Sequence, residues 1–404
     1  MTKLLKWLSV IILVIVAAVA IPVSFRRYQN GQLAQKINLE RADAANRPKT
    51  PDQNFDEYKG VIHVHTSLGG HSTGGFDELI SAANTNGLDF VLMTEHSSDA
   101  YDTSTLTLNG VYGKTLFIGG NEIDTADGDR FLVIPGTSEA GGFHALPTNT
   151  VVEKLHAGGR IALVAYPEKF RSWSSNFDGA EVFSLNTNSK QTNPFVVFFD
   201  LLWSFQAYPS VTMATYSRRP DTNLAQFDLI AAKRRVTLFA GIDAHSNIGF
   251  HLIGDDAGNK MLNLKLDPYA MIFQIVRMHV LLERTRPMTK ENLIEAVRKG
   301  NFYTGFDVIG DTDGFRFAAE SVEGSKAMGD EIVLTNGTRL TAQSPLPARF
   351  VVLKNGEKFY EATAAEMTVA VTEKAAYRVE VYRDDLGPPF DKMPWIMSNP
   401  IYVK

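Results

Sequence analysis

The chain has 404 residues, 44% of them hydrophobic and 21% charged, which is the composition of an ordinary folded protein with room for about two or three domains. Its formal net charge of -5 leaves no basic excess to support a dedicated nucleic-acid binder. With no cysteine, disulfides, thiolate metal ligands and a cysteine nucleophile are all excluded, so any metal site must be built from His, Asp and Glu.

In chain order, the first predicted element is an apolar helix. Lys3 and Lys6 precede WLSVIILVIVAAVAIPVSF (residues 7–25), which carries no charge, and Arg26 and Arg27 follow. That run is just long enough to span a bilayer. A cleaved signal peptide is the rival, because AVA at residues 18–20 resembles a cleavage site. The length of the run favours an uncleaved signal anchor (residues 1–27), with the body of the protein outside the cytoplasm, in the periplasm or at the cell surface. Residues 28–58 are polar and poor in aromatics and read as a linker.

GVIHVHTSLGGHSTGG (residues 60–75) holds three of the nine histidines. In a strand, side chains repeat every two residues, so His63 and His65 share one face, and the glycines then break the strand. FDELISAANTNG (76–87) has helical spacing, and DFVLMTEH returns to a strand. TLFIGGNE, FLVIP, a helix near 150–158, RIALVAYP and AEVFSLN continue the alternation. Helical patterns near 194–207 and 222–234 lead to VTLFAGIDAH (236–245). Apolar strands alternating with helices predict parallel β/α units, whose functional residues gather beyond the C-terminal strand ends. His63, His65, Glu95, His96, Glu122, Tyr166, Asp243 and His245 all fall there. KENLIEAVRKG (290–300) is a helix, and residues 315–404 carry an all-β pattern that predicts a small sandwich.

Neutral imidazoles and carboxylates without sulfur suit Zn, Mn or Fe. A carboxylate such as Glu122 can bridge two ions, and paired ions suit hydrolysis. The order HVH, His71, TEH, GGNE, DAH resembles the PHP (polymerase and histidinol phosphatase) family of metal-dependent hydrolases over residues 60 to about 250. That resemblance implies a distorted (β/α)7 barrel over residues 59–314 and up to three divalent ions. His63, His65, Glu122 and Asp243 would hold one ion, and His71, His96 and His245 another. The family's third site is altered: Arg130 and Tyr166 stand where histidines are the rule, and His144 is the candidate replacement ligand. Arg130 could instead bind an anionic substrate group, and Tyr166 could donate a hydrogen bond. The layout is similar to the carbaryl-hydrolase-like branch of the family.

The resemblance implies two divalent ions and a phosphoesterase acting on a small-molecule substrate, with Glu122, Asp243, Arg130 and Tyr166 at the reacting centre. A carbamate, ester or amide hydrolase on the same site is the first alternative, and a non-catalytic metal-binding or ligand-binding module the second. The N-terminal helix is the expected contact with the membrane, and no nucleic-acid partner is expected. Glu181 is a candidate orienting partner for a ligand histidine, and His251 a candidate pocket residue. RSWSSNF (171–177) and FVVFFDLLWSF (195–205) are candidate pocket walls. His156 and His279 fall in stretches read as helical and are expected to be structural.

Overall fold

The computed structural model describes residues 2–46, 52, 54–189, 192–246, 249–254, 260–265 and 267–404. The fold is mixed α/β, with one long apolar N-terminal helix and a sheet-rich C-terminal region.

Helix α1 runs unbroken over Thr2–Asn46 and contains Pro22. Its apolar part leaves Leu4 through Phe25 largely exposed. By length and composition it is long and apolar enough to cross a membrane, as a membrane anchor or a signal sequence would be. The linker expected from residue 28 is replaced, up to Asn46, by a continuation of this helix. The reason is a narrow stripe in a polar sequence: Asn30, Ala34 and Ile37, at helical spacing, are buried against the body of the protein. The Arg41 guanidinium donates to the Asp307 carbonyl, and Glu40 pairs with the buried Arg383 at 2.9 Å.

There follow β1 (Phe55–Val64), α2 (Phe76–Thr85), β2 (Phe90–Met93), β3 (Glu95–His96), α3 (Thr103–Leu106), β4 (Gly110–Tyr112), β5 (Thr115–Ile118), β6 (Asn121–Asp124), β7 (Arg130–Ile134), α4 (Thr148–Ala157), β8 (Ile161–Ala165) and β9 (Gly179–Ser184). Next come α5 (Leu185–Ser189), α6 (Pro194–Trp203), α7 (Pro209–Ala214), α8 (Asp221–Ala231), β10 (Thr237–Gly241), β11 (Gly249–Gly254), β12 (Lys260–Lys265), α9 (Tyr269–Ile272), β13 (Arg277–Glu283), α10 (Lys290–Lys299) and β14 (Phe302–Gly305). The C-terminal region contains β15 (Arg316–Ser321), β16 (Gly324–Ala327), β17 (Glu331–Ile332), β18 (Arg339–Lys354), β19 (Glu357–Ala370), β20 (Ala375–Tyr382), β21 (Pro394–Ser398) and β22 (Ile401–Val403).

Among the described residues, one sheet has the order β10-β9-β8-β7-β6-β3, and a larger one includes the path β21-β14-β13-β1-β2-β5. The two meet at both ends. β2 passes into β3 through Thr94, whose amide donates to the Val64 carbonyl. On the other side Val64 bridges Ala244 in parallel, and the Ile242 amide donates to the Ile62 carbonyl. Ile62, Leu92, Leu132, Leu163 and Phe239, from strands of both sheets, pack into one buried cluster.

The strand series is not all parallel. β6 and β7 are joined by a tight turn at residues 125–129 and pair antiparallel, as do β7 and β8. So short a connection permits no crossover. The reversal brings Arg130, at the start of β7, level with the C-terminal ends of β6 and β8. The C-terminal strands do not stand apart as a sandwich, because β21 pairs with β14, and β14 with β13. The Asn399 side chain reaches the Leu238 amide (2.7 Å) and the Phe302 carbonyl (2.9 Å), tying the tail to β10.

His279 lies on β13, not on a helix, and is fully buried. Its ring nitrogens meet Glu57 at 2.9 Å and Asp307 at 3.1 Å. Burial opposes its protonation, but Asp307 and Glu57 outweigh that and raise its pKa to about 9. Because the folded-state value lies above the unfolded one, this stabilisation is complete below about pH 6.5 and is lost as pH rises toward 9. Thermal unfolding of the wild type is therefore expected to show up to about 3 kcal/mol of stability lost across that window. His279→Gln is expected to flatten the dependence, and an equal slope in both proteins would contradict the assignment.

Candidate metal centre

The cleft is built where strands of both sheets end. It has a volume of about 460 Å³ and is lined by His71, His96, Glu122, Arg130, Tyr166, Asp243 and His245, among others. His63 and His65 lie fully buried beneath it. The pairing of β1 with β2 shifts register at His63, which has φ 70°. Tyr166 (φ 50°) and Asp243 (φ 47°) are likewise left-handed. Non-glycine residues in that region cost about 1–3 kcal/mol each, and three such residues meet around this one cleft.

Glu122 is the hub. Its Oε2 lies 3.2 Å from His65 Nε2, 3.3 Å from His96 Nδ1 and 3.6 Å from His63 Nε2. Asp243 Oδ1 lies 3.5 Å from His63 Nε2 and 3.6 Å from His65 Nε2. The His65 ring stacks between His96 and His245, with centroids 4.4 Å away on each side. His71 sits edge-on to His96 at 5.0 Å.

Two of the rings are aimed by a neighbour. His63 Nδ1–H donates to Glu181 Oε1 at 2.7 Å, which turns Nε2 toward the cleft. Glu181 approaches by way of Gly241, where any Cβ would collide with the carboxylate. His245 Nδ1–H donates to the Asp243 carbonyl at 3.0 Å. Tyr166 donates its hydroxyl to Asp243 Oδ2 at 2.8 Å. Glu95 accepts from the Thr66 amide and hydroxyl and from Thr107, and so pins the loop after His65.

The electrostatics follow from dense burial. Burial opposes charge on His63, but Glu181 and Asp243 outweigh it and hold its pKa well above the usual value. Burial, then the neighbouring His63, His245 and His96, push His65 far down. Burial raises Glu181 to about 7 against the pull of His63. Burial and then Asp243 and Glu122 raise Tyr166, so its phenol keeps its proton and serves as a donor.

The residues fit a divalent cation. His63 Nε2, both ring nitrogens of His65 and Glu122 Oε2 are buried without any hydrogen-bond partner. Buried polar atoms of this kind are costly unless something pairs with them. Ligand atoms of His63, His65 and Glu122 lie within 4.8 Å of one another, as do those of His65, His96 and His245. His65 thus belongs to both groups, which differs from the division expected from sequence.

The structure does not bring every candidate here. His144 is exposed, donates to the Gly141 carbonyl at 2.6 Å and lies outside the cleft lining, so it does not replace a missing ligand. Arg130 is held by Asp124 at 2.7 and 3.0 Å and by Glu122 at 3.3 Å. Trp173 packs on Phe170 and Phe177 rather than lining the cleft, and residues 195–205 lie against α1. The His251 side chain is outside the described residues. His156 bonds Asp178 at 2.9 Å on α4. Asp124, which the sequence reading missed, lies two residues after Glu122, on the same face of β6.

No family model and no curated protein matches this chain. Among solved structures it is similar to PsfC from Pseudomonas syringae PB-5123, at 14% sequence identity and a TM-score of 0.35, over 59% of this chain and 88% of that one.

Proposed function

We propose that the chain is a membrane-anchored, metal-dependent hydrolase of the PHP type, most simply a phosphoesterase, with its body outside the cytoplasm. The observation that carries the reading is the convergence of imidazoles and carboxylates on buried, partnerless ligand atoms. The circuit of strands from β1 through β3, β6 and β10 back to β1 supports a distorted barrel. His63, His65, Glu122 and Asp243 would hold one ion, and His96 and His245, with His65 or His71 beside them, a second. Such ions, Zn, Mn or Fe, supply Lewis acidity and make a water nucleophilic at neutral pH. Around them Glu181 fixes the His63 ring, Tyr166 fixes Asp243, and Arg130 restrains Glu122 at the cleft wall.

One observation favours the carbamate, ester or amide alternative. Arg130 is already engaged by two carboxylates, so it offers a phosphate dianion less than a free guanidinium would. The full chain in detergent should be assayed with aryl phosphates, phosphodiesters, carbamates and esters, each with added Zn, Mn or Fe. Phosphoesters turned over by the wild type but not by His65→Ala would support the main reading. Turnover of carbamates or esters alone would replace it with the alternative. Metal retained with no turnover across the panel would favour a binding module.

A further inference from the structure

Helix α6 presents an unusual surface. Phe195, Phe198, Leu202 and Trp203 are 75%, 55%, 55% and 52% exposed and form one stripe along PFVVFFDLLW. On the opposite side Asp200 is buried, held by Arg26 at 2.7 Å and by the Tyr216 hydroxyl at 3.0 Å. The Arg27 guanidinium lies 5.2 Å from the centre of the Trp203 ring and donates to the Trp203 carbonyl. Between α1 and Trp203 opens a groove of about 830 Å³, lined by Arg27, Tyr28, Trp203 and Tyr208 among others.

We propose that α6 is a second membrane contact, lying in the bilayer surface beside the exit point of α1. The proposal rests on the reading of α1 as an anchor. Trp7 to Phe25, the uncharged run, rises about 28 Å as a helix, close to the thickness of a hydrocarbon core. The core therefore ends one residue before Arg26, the residue that grips α6. Exposed large apolar side chains at that level face lipid, and Arg27, Tyr28 and Trp203 are the residue types that collect at a membrane–water interface. A single apolar surface thus continues from α1 onto α6, which favours the bilayer over a second copy of the chain. Chain order places α5 to α7 after the C-terminal end of β9, the sheet end at which Tyr166 and Asp243 also lie.

The absence of cysteine supplies a clean test. Ile12→Cys, Phe198→Cys and Val322→Cys in the full chain each create a sole thiol for an environment-sensitive fluorophore, read in vesicles of phosphatidylcholine and phosphatidylglycerol. Val322, 83% exposed in the C-terminal region, is the aqueous reference. The Ile12 and Phe198 probes should lose most of their emission to nitroxide-bearing lipids, with Phe198 the shallower, while Val322 responds only to aqueous iodide. Quenching of Phe198 by iodide alone, with Ile12 in lipid, would overturn the proposal and leave the anchor standing. If Ile12 also responded only to iodide, the anchor reading would fail and the proposal with it. A Phe198 probe shielded from both quenchers would mean that protein covers α6, which also overturns it.

Discussion

Glu122→Gln is expected to remove at least one equivalent of bound divalent metal and to cut hydrolysis by about 1,000-fold or more. The carboxylate is 2% exposed, and its Oε2 faces three imidazole nitrogens within 3.6 Å. The amide keeps the shape but removes the charge, and it can turn N–H donors toward ring nitrogens that should be ligands. An ion supplies several kcal/mol of transition-state stabilisation, and each 1.36 kcal/mol is tenfold in rate, which sets the size of the loss at about three decades. Metal analysis and steady-state rates on the same preparation check both halves. Full metal content with an unchanged rate would mean that Glu122 is only a structural carboxylate.

Arg378→Met is expected to destabilise the fold by about 3–5 kcal/mol, the usual cost of leaving buried charge unpaired. Arg378 is 2% exposed and forks onto Asp228 at 2.7 and 2.6 Å, with a third bond to Glu380 at 2.6 Å. Glu380 keeps a second cation in Arg219, at 2.8 and 2.9 Å, so Asp228 is the group left bare. The double variant Arg378→Met with Asp228→Leu should recover much of the loss. Unfolding by urea or heat reads both, and a single variant within about 1 kcal/mol of wild type would show that the C-terminal region is not clamped to α8 through this pair.

The sequence carries the cleft in short local patterns. HVH, TEH, GGNE and DAH each place a ligand-type side chain at a strand end, and one strand period suffices to see it. Glu181 was legible in the same way, as a carboxylate inside an apolar strand. What stayed hidden depends on contacts distant in sequence. Residues 28–46 look like a linker until Asn30, Ala34 and Ile37 are seen against the body of the protein. The reversal of β7 rests on a five-residue turn whose consequence, Arg130 beside Glu122, appears only with the sheet assembled. The union of β21 with β14 is a pairing across some ninety residues of chain, and strand periodicity says nothing about partners. His144 shows the converse hazard: a histidine near the right place in sequence whose loop carries it out to solvent.

Whether the cluster holds divalent metal is read by elemental analysis of the purified full chain beside His65→Ala. His65 contributes to both ligand groups, so about two equivalents of Zn, Mn or Fe are expected in the wild type, with both lost in the variant. Wild-type protein without bound metal, even after reconstitution with each ion, would mean that these imidazoles and carboxylates are not a metal centre.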